Sequence, residues 1–173
     1  SVARPTVALL VVGALMVLVI GDERGSPMSL GVALAMACAI VSAASDLATG
    51  LVFDSVTALA ALMILLAALV AGSAIPAAIG AVVCAGSLSA LYALTRGRGI
   101  GLGDVKLGAV IGAGCGGVIA IGALGSAFIV GALWAITLLA RKRVHPGDRV
   151  AFAPFLALGT IASLGMNVFG LHG

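Results

Sequence analysis

Seven stretches of the chain are almost continuously apolar, and polar residues are confined to the short breaks between them. The stretches run over 6–21, 28–45, 55–72, 74–94, 104–114 with an irregular continuation, 118–140 and 151–169. Most approach the roughly 20 residues that a helix needs to cross a bilayer, and none shows the polar face of a helix on a water-soluble core. The pattern predicts an all-α integral membrane protein, a polytopic bundle of about six to seven transmembrane helices. Residues 1–27 hold the first helix and a short outer loop, and 28–173 form the membrane core. The run after Arg4 could imitate a signal peptide, but Gly21-Asp22-Glu23-Arg24-Gly25 shows no small-x-small cleavage pattern, so it reads as a span.

The fifth stretch differs from the others. From Gly108 to Gly117 it carries five glycines in ten positions, each costing a helix about 1 kcal/mol relative to alanine. Gly108, Gly112 and Gly116 also repeat the four-residue spacing that lets membrane helices approach closely. A short helix at the centre of the bundle is expected, then a break near 114–117, then a full span.

Composition sharpens this picture. Hydrophobic residues make up 62% of the chain and charged residues only 9%, with a mean hydropathy of +1.31. The net charge of +3 is spread over short loops, so no nucleic-acid partner is indicated; the bilayer is the expected surrounding. Cys38, Cys84 and Cys115 are dispersed within apolar runs, with no CxxC pair, so they read as small apolar filler. No metal site and no cofactor is expected. With the N-terminus in the cytoplasm, seven spans place Arg4, Arg96, Arg98, Lys106, Arg141, Lys142, Arg143 and Arg149 inside and only Arg24 outside. The positive-inside rule favours that orientation. It puts Asp46 and Asp104 at the same, cytoplasmic, face.

Carboxylates are costly in hydrocarbon and are kept there mostly for function. Asp46 closes one apolar run and Asp104 opens another, inside Gly101-Leu102-Gly103-Asp104-Val105-Lys106. If the two helices are neighbours, the acids form an aspartyl dyad: one as base on a water, the other protonated to polarise a carbonyl. Gly101 and Gly103 would leave room for an extended substrate beside the acid. Structural readings stand alongside. Asp104 suits an N-cap; Asp46, after a helix, opposes the helix dipole or caps a turn into the loop 46–54. Asp54 suits an N-cap of the third span as well as a site. Lys106 either snorkels to lipid headgroups or acts on a nearby carboxylate. Asp22, Glu23 and Asp148 read as solvated loop charges, and His145 and His172 as bystanders.

These residues resemble the type IV prepilin peptidases, membrane aspartic proteases with a GxGD motif. Gly101-Leu102-Gly103-Asp104-Val105-Lys106-Leu107 is similar to the family's GxGDVKL segment. Asp46-Leu47, with Asp54 eight residues on, resembles its first-aspartate segment, Phe53 standing where proline is usual. Ala153-Pro154-Phe155-Leu156-Ala157-Leu158-Gly159 resembles a late segment that usually starts with glycine. The resemblance spans about residues 33–165. It implies an endopeptidase of the inner (cytoplasmic) membrane that removes the short basic leader of prepilins or pseudopilins. Asp46 and Asp104 are then catalytic, and Gly101, Gly103, Lys106, Asp54 and Pro154 bind substrate or support the site. Larger members carry a cytoplasmic domain with paired cysteines between the first spans. Here 21–27 is tiny, which resembles the short, peptidase-only branch serving tight-adherence or Flp-type pili, and N-methyltransferase activity is not expected. The alternatives are a presenilin-like intramembrane protease, which would want Tyr before the first Asp rather than Ser45, or a non-enzymatic small transporter or assembly factor using the acids as a proton relay.

Overall fold

The computed structural model describes residues 28–49, 54–97, 100–141 and 152–168. Among them are six helices: α1 (Met28–Thr49), α2 (Asp54–Val70), α3 (Ala74–Leu94), α4 (Leu102–Cys115), α5 (Gly117–Ala140) and α6 (Ala153–Val168). All the described regular structure is helical, as the apolar runs predict, and the ends agree with the expected spans within a few residues. The expected first span, 6–21, and the division at 27 lie outside the described residues, as do Asp22, Glu23, His145, Asp148 and His172. Windows in α1, α3 and α5 are long and apolar enough to cross a membrane; α2 and α6 are shorter apolar helices.

One boundary corrects the sequence reading. Asp46 does not follow a helix; α1 continues through Thr49, so Asp46 lies in its last turn. Leu47 and Ala48 are good helix formers, and only Gly50 interrupts the run. The connection to α2 is correspondingly shorter than 46–54.

Successive helices run antiparallel. α1, α3 and α5 end at the face from which α2, α4 and α6 start. The turn from α2 to α3 is tight: Ser73 N–H donates to Ala68 O at 2.8 Å and Gly72 N–H to Leu69 O at 3.2 Å, with Gly72 at φ 67°. That is a Schellman stop, and glycine takes its left-handed position without strain.

α4 is the centre of the bundle. Leu107, Gly108, Val110, Ile111, Gly112, Gly114 and Cys115 are all buried, and α1, α2, α3, α5 and α6 all contact it. Its glycines make that position possible. A Cβ at Gly112 would collide with the Gly80 carbonyl of α3, one at Gly108 with Leu88, and one at Gly114 with the Gly31 carbonyl and Ala35 of α1. Backbone therefore packs on backbone, which offsets the helix propensity that the glycines sacrifice. The helix breaks at Gly116, whose φ of 75° excludes most side chains, and α5 begins at the next residue. The expected short central helix and its break are both present.

Candidate active site

Three helix ends meet at one face: the last turn of α1 and the first turns of α4 and α6. On α4, Gly101 is the N-cap, and Asp104 sits at the third helical position rather than at the cap. The Asp104 carboxylate reaches back to accept the Gly101 N–H at 3.0 Å, while the Asp104 N–H donates to Gly101 O at 3.2 Å. This is the carboxylate half of a capping box, with a carbonyl where a serine hydroxyl would stand. It fixes the side chain and takes up only Oδ2. Oδ1 is buried and has no hydrogen-bond partner among the described residues. Asp104, at 7% exposure, is also the one charged residue buried among them. A buried oxygen without a partner is uncommon enough in folded proteins to require a reason.

Asp46 faces it from α1, close enough for its charge to act on the Asp104 carboxyl. A carboxylate in the last turn of a helix opposes the helix dipole by about 0.3–1 kcal/mol. α6 compensates: the Ala153 N–H, at the start of that helix, donates to Asp46 Oδ2 in a long bond of 3.4 Å. The start of α6 is itself held by packing. Phe152 packs at a tilt on Phe128 of α5 at 5.3 Å and on Phe155 at 6.2 Å between ring centroids, and Gly131 lies beside the Phe152 and Phe155 rings.

The remaining sequence candidates fall in two groups. Gly101, Gly103 and Pro154 lie at the meeting point: the first caps α4, the second is in its first turn, and Pro154 is buried in the first turn of α6. Proline has no N–H to give, so the donor from that segment is the Ala153 backbone, which residue type alone could not disclose. Lys106 and Asp54 are apart from the acids. They pair with each other at 2.7 Å, across the gap between α4 and α2. Lys106 thus holds a carboxylate, though neither Asp46 nor Asp104. At 50% and 72% side-chain exposure, such a pair is worth at most about 1 kcal/mol. Asp54→Asn is accordingly expected to leave the thermal midpoint in detergent within about 4 °C of the parent's, as thermal denaturation would show; a larger drop would mean that the pair anchors α2. Among the described residues no group of three or more His, Cys, Asp or Glu could hold a metal ion.

A model of the type IV leader peptidase family matches residues 33–136. The chain belongs to the type IV leader peptidase family. No curated protein and no solved structure gives a significant match. The matched region of this family member contains Asp46, Asp54, Gly101, Gly103, Asp104 and Lys106. It ends before α6, so Pro154 and the Ala153 N–H that holds Asp46 lie beyond it.

Proposed function

We propose that the chain is an aspartic endopeptidase in which Asp46 and Asp104 form the catalytic pair. The observation that carries this reading is the buried Asp104 Oδ1, without a partner among the described residues and within the field of Asp46. A carboxylate whose only bond among the described residues is to its own helix cap needed no burial for capping. An open oxygen beside a second carboxyl is what hydrolysis requires.

The ionised member of the pair takes a proton from a water held between the two carboxyls. The water oxygen attacks the scissile carbonyl carbon, and the protonated member donates its proton to the carbonyl oxygen. The tetrahedral intermediate then collapses: its C–N bond breaks, the nitrogen receives a proton and the hydroxyl returns one to the pair. Gly101 supports this reading in a specific way. Its backbone, at φ −86° and ψ 158°, suits any residue, and among the described residues a Cβ there would meet nothing closer than Asp104 Oδ2 at 3.5 Å. Neither its conformation nor its packing against the described residues demands glycine, which supports a missing side chain that serves the space over the carboxylate.

The substrates are prepilins or pseudopilins: a short basic leader, a cleavage site after glycine, then an apolar helix. The pair works at the cytoplasmic face of the inner membrane, in a bundle of six to seven spans whose first helix is 6–21. The chain represents the short, peptidase-only branch that serves tight-adherence or Flp-type pili, without N-methyltransferase activity. Incubation of the purified protein with a prepilin, followed by N-terminal sequencing, tests the activity; an unchanged N-terminus would reject it. Accessibility labelling tests the placement. Cysteines at Arg98 and Lys142 are expected to react from the cytoplasm and one at Glu23 from outside. An external Arg98 would put the acids on the wrong side for a basic leader.

A further inference from the structure

Apart from the aspartates, the bundle holds a groove of about 570 Å3 between α2, α3 and α4 that touches neither Asp46 nor Asp104. Its walls are largely alanine: Ala61 of α2, Ala77, Ala78 and Ala81 of α3, and Ala109 and Ala113 of α4. A hollow of about 280 Å3 continues it away from the acids, the two sharing Ile64, Ala77 and Ala113. Together they follow α2 along its 17 residues, about 25 Å of helix and close to the apolar thickness of a bilayer. Elsewhere the outer faces of the helices present large side chains, such as Leu62 and Leu66 on α2 and Leu133 and Ile136 on α5. The pairs Ala77/Ala81 and Ala109/Ala113 repeat the small-xxx-small spacing by which one membrane helix admits another. Charge occurs only at one end of the groove, where Lys106 and Asp54 meet.

We infer that this groove receives the apolar helix of the substrate, with the start of that helix at Asp54 and Lys106. The inference rests on the leader-peptidase reading above. An apolar substrate helix of bilayer length matches the groove in length, and the groove ends at the same face as the two carboxyls. The alanine walls take the apolar helix, and its first turn lies beside the Asp54–Lys106 pair. The position relative to the acids is also suitable. Lys106 and Asp104 are two residues apart on α4, roughly 200° around the helix, so groove and acids lie on opposite sides of its first turns. Two or three extended residues, at about 3.3 Å each, carry the chain across the end of α4, over Gly101, to the carboxyls. The cut then falls just before the apolar helix, and the glycine at the cap keeps the crossing open.

Photo-crosslinking tests the assignment. Ala61→Cys, Ala78→Cys and, as a control on the outer face of α5, Leu133→Cys are labelled with a benzophenone maleimide in vesicles that also hold a prepilin with a basic leader and a 20-residue apolar helix. At least tenfold more adduct to the prepilin helix is expected from Ala61 and Ala78 than from Leu133. Filling the groove with Ala78→Trp is expected to raise KM about tenfold with kcat changed less than twofold. Equal adducts from all three positions, adducts confined to the protein's own residues 6–21, or an unchanged KM would overturn the assignment. If the unsubstituted protein leaves this prepilin uncut, the leader-peptidase reading fails and the groove assignment falls with it. Cutting without groove adducts overturns the groove alone.

Discussion

Asp104→Asn and Asp46→Asn are each expected to lower prepilin cleavage at least about 1,000-fold, the scale of a lost general acid or base, while the protein becomes no less stable. Asn has nearly the same shape as Asp, and its carbonyl oxygen can still accept the Gly101 N–H, so α4 keeps its cap. What disappears at Asp104 is the cost of a charge in a buried position, where Oδ1 has no partner among the described residues. At Asp46 the substitution removes a negative charge from the wrong end of α1. Both thermal midpoints should therefore stay level or rise as activity vanishes, the signature of a site kept at the expense of stability. The measurements are leader cleavage on a gel and thermal denaturation in detergent. More than about one per cent residual activity in either variant would remove that residue from the pair. A fall in midpoint by several degrees would mean that the carboxylate is structural first.

Helix positions were legible in the sequence because a bilayer selects length and apolarity, and breaks such as Gly72-Ser73 and Gly116-Gly117 interrupt apolar runs openly. Which faces pack together was much less legible. In lipid both the buried and the outward faces of a helix are apolar, so periodicity carries little information. Leu62 faces outward and Ile64 inward with nothing in their chemistry to separate them. The small residues did carry packing information, and the glycine spacing of α4 foretold a close-packed central helix. At the site, Asp46 and Asp104 stood out because isolated acids are rare in such runs. Their neighbours did not. The Ala153 N–H is a backbone group 107 residues from Asp46, and the partnership of Lys106 with Asp54 depends on how α4 and α2 are set side by side. Both arise from tertiary placement, on which local pattern is silent.

Two glycines of α4 should separate site from scaffold most clearly. Gly112→Leu is expected to destabilise the protein by about 3 kcal/mol or more, the upper range for overpacking, with loss of folded yield and of activity together. No rotamer relieves the conflict, because even a Cβ at Gly112 meets the Gly80 carbonyl, which is α3 backbone rather than a movable side chain. The two helices would have to part, and α4 would carry Asp104 with it. Gly101→Ser should behave in the opposite way. Serine is at least as good an N-cap as glycine, its Cβ fits at 3.5 Å from Asp104 Oδ2, and the backbone there is already extended. Folded yield and thermal midpoint should hold, while cleavage falls at least about tenfold as the side chain occupies the space over the carboxylate. The two readouts, midpoint and cleavage rate, must come apart at Gly101 and move together at Gly112. If Gly101→Ser cleaves normally, the open space over Asp104 has no part in substrate approach. If Gly112→Leu folds and cleaves like the parent, the contact of α3 with α4 through Gly80 and Gly112 does not hold the acid in place.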